Sequence, residues 1–156
     1  MSTTVNIPRS VHVEHATIHT ALVDATHAAG AVGEAAQELA RILHPHFVRE
    51  EQIALPPLGL LARLADDRHI PDEELSAALA MSDALKRELR KMLSEHTQIR
   101  GAVERLRLAA LIAHDETSER LATSLALHAQ TEEEVLYPAA ILVGELIRSR
   151  ARQVAK

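Results

Sequence analysis

The pattern that most restricts this chain is the return of apolar residues at alternating steps of three and four along nearly its whole length. Four stripes can be read: Val11, His15, Ile18, Leu22, Ala25; then Leu39, Leu43, His46, Glu50, Ile53. The third is Leu85, Leu89, Met92, His96, Ile99, Val103, Leu106, and the fourth Leu121, Leu125, His128, Glu132, Val135, Ala139, Leu142. Such steps put residues on one face of an α-helix. The stripes predict helices over about 10–29, 34–65, 72–112 and 117–152. Between them lie "AAGAVGEAA" (28–36), "DDRHIPDEE" (66–74) and "HDETSER" (114–120), which carry turn glycines, a helix-starting Pro71 and capping residues. Short connections make neighbours antiparallel. The expectation is an all-α, up-and-down antiparallel four-helix bundle, one domain over 1–156 with its core at about 11–147. Phe47 and Tyr137 are the only aromatics, so Leu, Ile, Val and Ala must build the core.

Every stripe is interrupted by histidine or glutamate, and the interruptions repeat. "HFVREEQIALPP" begins at His46 and "HAQTEEEVLYPA" at His128. Each has a glutamate four residues after the histidine, a second glutamate next to it, and a proline ten residues past the histidine. "EHATIH" (14–19) and "EHTQIR" (95–100) precede them by similar intervals. The chain therefore reads as two copies of one helical hairpin, joined near residue 70. Pro56 and Pro138 each remove a backbone donor, which predicts a kink beyond each phrase, and Pro45 bends the approach to the first.

Facing residues of an antiparallel hairpin lie equally far from its turn. His15 and His46 centre on the Gly30–Gly33 break, His46 and His96 on Pro71, and His96 and His128 on residue 112. All four histidines fall at one height, with Glu50 and Glu132 one turn from their own histidines. An uncompensated carboxylate in an apolar interior costs several kcal/mol, roughly, even after relaxation. No inward lysine or arginine can be placed beside these two, so metal cations are the natural counter-charge. Imidazole and carboxylate without thiolate suit iron, manganese or zinc. Four histidines and two carboxylates exceed one ordinary site and suit two metals bridged by the carboxylates. The competing reading is a buried His–Glu hydrogen-bond network without metal; two level copies weigh against it.

The doubled H…HxxxEE…P pattern resembles the hemerythrin family, specifically the bacterial hemerythrin-like HHE cation-binding domains, from about residue 11 to about 147. The resemblance implies a non-haem di-iron centre with His15, His46, Glu50, His96, His128 and Glu132 as ligands, the carboxylates bridging. It also implies binding or sensing of O2 or a related diatomic or peroxide species at an open coordination position. Di-iron oxidase or peroxide-consuming activity is the alternative, as is a metal-stabilised regulatory bundle with a separate partner. Oxygen-carrying hemerythrins have a fifth histidine one turn from the third-helix ligand, where this chain has Met92 and Arg100. His19, one turn after His15, is the substitute candidate. The carriers take their last carboxylate five residues after histidine, which makes Glu133 an additional candidate, although repeat symmetry favours Glu132.

Tyr137 lies off the strict stripe and is expected to pack at an interhelical seam rather than aim its hydroxyl at the site. Glu51 and Glu133 are expected outside the ligand set, where either could hydrogen-bond a ligating imidazole. His12, His27, His44, His69 and His114 are expected at the surface. The formal charge of −5, with basic residues gathered only near the C-terminus, argues against nucleic acid as a partner. No apolar run reaches membrane-spanning length, and no cysteine is present for disulfides or thiolate chemistry. The cytoplasm is the expected location.

Overall fold

The computed structural model describes residues 5–154. It is helical, with no strand among the described residues. Four helical columns follow the four stripes. The first is α1 (Arg9–Thr26) and the second α2 (Gly30–Ile53), which continues through a 3₁₀ turn (Pro56–Leu60) into the short α3 (Leu61–Ala65). The third is α4 (Asp72–Ala113). The fourth is α5 (Glu116–Thr131), a π-helical turn (Glu132–Leu136) and α6 (Tyr137–Val154). Helix α1 packs on α2 and α5, and α4 packs on α2, α5 and α6, which closes the bundle. No described helix is long and apolar enough to cross a membrane.

The ends of the elements follow local chemistry. Gly30, at φ +65°, opens α2 in a conformation that costs glycine nothing. A Cβ at Gly33 would collide with the Ala28 carbonyl, so the α1–α2 connection can close only around glycine. Asp72, Glu73 and Glu74 occupy the first turn of α4, where negative charge meets the positive end of the helix dipole. His114 ends that helix in the left-handed conformation, at φ 54°. Asp115 then caps α5, accepting from the Ser118 backbone N–H at 3.1 Å and from its hydroxyl at 2.7 Å.

Two proline-linked breaks depart from plain α-helix, and the second alters the register. After Glu50, the backbone N–H groups of Ala54 and Leu55 both donate to the Glu50 carbonyl, at 2.8 and 3.0 Å, and the chain tightens into 3₁₀ at Pro56. The helix predicted over 34–65 is therefore interrupted beyond Glu50, where a kink was expected from Pro56, while Pro45 sits within continuous helix. Before Pro138 the helix instead widens into the π turn, which inserts one residue. The predicted inward set Val135, Ala139, Leu142 is consequently displaced by about one position. Val135 and Leu142 are 55% and 65% exposed, and Tyr137, Ala140, Val143 and Ile147 face the interior.

Two apolar clusters sandwich a polar layer. One side holds Ile18, Leu43, Phe47, Ile99 and Leu125; the other holds Ile53, Leu55, Met92, Tyr137 and Ala140. Along every column the histidine and glutamate positions fall between them.

Candidate metal centre

His15, His46, Glu50, His96, His128 and Glu132 are all buried, none more than 3% exposed. Their nearness was set by the helix period and by the equal distance of each residue from its turns. Glu132 Oε1 lies 2.8 Å from His128 Nε2 and 3.4 Å from His15 Nε2, while its Oε2 lies 3.2 Å from His96 Nε2. Glu50 Oε1 lies 3.1 Å from His46 Nε2 and 3.8 Å from His96 Nε2, while its Oε2 lies 3.8 Å from His15 Nε2. Each carboxylate therefore spans both histidine pairs, His46/His96 and His15/His128. Two compact donor sets result: His46, Glu50, His96, Glu132, and His15, His128, Glu132.

The outward nitrogens of the four imidazoles also meet carboxylates, each on the next helix around the bundle. His46 Nδ1 is 2.7 Å from Glu95 Oε2, and His96 Nδ1 is 2.9 Å from Glu133 Oε1. His15 Nδ1 lies 3.5 Å from Glu51 Oε1, and His128 Nδ1 lies 3.2 Å from Glu14 Oε1. A carboxylate accepts and cannot donate, so a hydrogen bond from Nδ1–H leaves the Nε2 lone pair turned inward.

Tyr137 corrects the expectation of seam packing. Its hydroxyl donates to Glu50 Oε1 and lies 3.1 Å from His96 Nε2 and 3.3 Å from His46 Nε2. The π turn rotates it inward. The first hairpin places Leu55, also fully buried, nine residues after its histidine, as Tyr137 is nine after His128. Aligning the two phrases was the signal that could have found it. His19 is not brought into the centre, because Ile18 takes the inward place on α1 and His19 is exposed, its ring 6.3 Å from that of His44. Glu133 touches His96 and Arg100 from outside. His12, His27, His44, His69 and His114 are exposed, as expected.

Electrostatically, the cluster without a cation leans on protons. Burial pulls His96 down, but hydrogen bonds and charge from Glu132 and Glu50 outweigh it and push His96 up to about 10. His128 rises to about 9 against the same burial, through Glu132 and Glu14. Burial pushes Glu132 up, yet His128, His15 and His96 hold it well below the ordinary carboxylate range. Burial and the Glu50 and Glu132 charges raise Tyr137, which stays protonated.

Protons alone leave the centre unsatisfied. Glu50 Oε2 and His15 Nδ1 are buried with no hydrogen bond among the described residues. Each such atom costs about 1–3 kcal/mol. Ligands about 2.1 Å from a shared ion stand roughly 3–3.5 Å apart, which the inward N···O separations of 2.8–3.8 Å bracket. The donors present therefore fit metal cations, with Glu50 Oε2 gaining the partner it lacks.

The family model described as the hemerythrin HHE cation-binding domain matches residues 58–140, more than half of the chain. The chain belongs to that family. The matched stretch of this HHE domain holds His96, His128, Glu132 and Tyr137; His15, His46 and Glu50 precede it, and the geometry alone joins them to the rest. No curated protein and no solved structure matches the chain. A cation-binding family and a buried His/Glu cluster give one functional conclusion: the HHE domain binds metal.

Proposed function

We propose that the protein is a non-haem di-iron protein that binds or senses O2 or a related small oxidant. The observation that carries this is the span of the two carboxylates, each with oxygens directed at both histidine pairs. His46 and His96 would hold one ion and His15 and His128 the other, with Glu50 and Glu132 shared. An iron pair supplies reversible one- and two-electron chemistry towards such oxidants. The short α1–α2 and α4–α5 connections and the level histidines support an up-and-down antiparallel arrangement of the columns.

The chain's own side chains define the environment. Tyr137 stays protonated and orients Glu50 by donating to it. Phe47 stacks on the His15 ring at 4.1 Å, and Ile53, Met92 and Ile99 wall the layer with apolar surface that excludes water. A surface cleft of about 270 Å³ has His15 and Phe47 in its lining, with His12, Ala16, His44 and Glu51, and offers a diatomic ligand a way in.

The test is anaerobic reduction of iron-loaded protein followed by titration with air. A ligand-to-iron absorption band that forms in air and disappears under vacuum supports binding or sensing. Irreversible consumption of O2 favours an oxidase, and an unchanged spectrum contradicts both.

A further inference from the structure

We propose that His19 and His44 form a divalent-cation capture site at the mouth of the surface cleft, where an arriving ion is held before it passes to the buried centre. The inference rests on metal binding at that centre and is independent of which metal or oxidant the protein uses there.

The pair is set by distance from the first turn. Residues 19 and 44 centre on the Gly30–Gly33 connection, as His15 and His46 do, so α1 and α2 bring His19 and His44 face to face on the exterior. Their ring centroids stand 6.3 Å apart, with the rings tilted by 53°. Both residues are exposed. Neither makes a hydrogen bond or an ion pair among the described residues, so each keeps a ring nitrogen free to bind. His27, on the same helix face towards solvent, instead donates Nδ1–H to the Val23 carbonyl at 2.9 Å. Imidazole nitrogens bind a cation such as Zn(II) at about 2.0–2.1 Å, which puts the centroids of two rings sharing one ion roughly 5–6.5 Å apart. The observed separation falls inside that range, and water completes the coordination.

The path inward is a second, independent observation. The cleft of about 270 Å³ lined by His19 and His44 also has His15 and Glu51 in its wall. Glu51 Oε1 lies 3.5 Å from His15 Nδ1, and Glu51 is 43% exposed, so one carboxylate meets both water and a buried donor. His12 and Glu51 centre on the same turn as His19 and His44, which adds a third imidazole to the cleft about 10 Å along α1. An ion that left bulk water directly for the interior would shed its hydration at once, at a cost of several kcal/mol, roughly. In this cleft it exchanges water for imidazole and then carboxylate in stages. His19 thus serves the centre from outside it.

The experiment has two arms, both on the full chain. In the first, zinc-loaded protein is titrated with further Zn(II) and the histidine ring signals are followed by NMR. The His19 and His44 signals shift together on one saturable isotherm, those of the exposed His69 and His114 do not, and in H44Q the His19 response is lost. In the second, metal-depleted protein takes up Co(II) supplied at about 100 µM, where a millimolar effective concentration at the pair makes loading about tenfold faster than in H19Q or H44Q. The number of ions finally held by the buried centre is unchanged in both variants. Exposed histidines that all respond alike, or variants that load at the unaltered rate, overturn the proposal and leave metal binding at the centre standing. An unaltered chain that loads no cobalt overturns both.

Discussion

The hydroxyl of Tyr137 donates to the carboxylate of Glu50 across 87 positions of sequence, at the centre of the bundle. The pair joins α6 to α2 through the polar layer and ties the π turn of the fourth column to a buried carboxylate of the second. Y137F keeps the buried ring and removes the donor. It is expected to destabilise the protein by about 1–3 kcal/mol, the range for a buried acceptor losing its partner. Urea unfolding measures this, and a change below about 0.5 kcal/mol would show the bond to be incidental.

Removing metal is expected to lower the melting temperature. An ion present at 100 times its dissociation constant contributes about 2.7 kcal/mol of stability. For a chain of this size that corresponds to roughly 5–10 °C. Scanning calorimetry with and without chelator reads the difference directly, and coincident melts would contradict it.

The metal-free protein should lose stability with rising pH. His96 and His128 have folded pKa values of about 10 and about 9, above the unfolded 6.5. The stability they contribute is therefore complete below pH 6.5 and disappears as pH rises through 9 and 10. Glu132 acts in the opposite sense: its folded value is depressed, so its contribution holds above 4.5 and is lost only in stronger acid. Urea midpoints in chelator should fall between pH 6.5 and 10. Midpoints that rise across that interval would contradict the assignment. Cations compete with those same protons, so metal affinity should increase with pH over the same range.

The register of α6 can be tested by charge. Leu142 faces out, and L142K should change stability by no more than about 0.5 kcal/mol. Val143 faces in, and V143K places an unpaired charge in the interior, at a cost of about 3–5 kcal/mol. Thermal melts of the two variants decide it. The reverse order would restore the inward set Val135, Ala139, Leu142 that the periodicity predicts.

That register marks where the sequence stopped being readable. The stripes and turn midpoints were enough to place His15, His46, His96 and His128 at one level, because side-chain direction in a regular helix depends only on count. The same rule failed beyond Glu132, where Pro138 cannot supply the next backbone donor and the helix widens by a residue. Tyr137 moved inward as a result, and Val135 and Leu142 moved outward. The outer carboxylates were written in plain view, in the glutamate before His15, the one before His96, and the second glutamate of each phrase. Their unequal contacts were not. Near-identical letters occur in both hairpins, and the distances of 2.7 and 2.9 Å against 3.5 and 3.2 Å arise from how the helices pack. His19 fell outside because nearness in sequence to His15 does not place a side chain on the inward face of α1.

The central claim is that the buried carboxylates are held in the interior by metal. It is tested most directly by elemental mass spectrometry of the purified full chain beside a variant carrying both Glu50→Ala and Glu132→Ala. The account predicts two metal ions per chain, chiefly iron, in the unaltered protein and near-complete loss in the variant. An unaltered chain that carries no metal, or a variant that keeps as much, would contradict it.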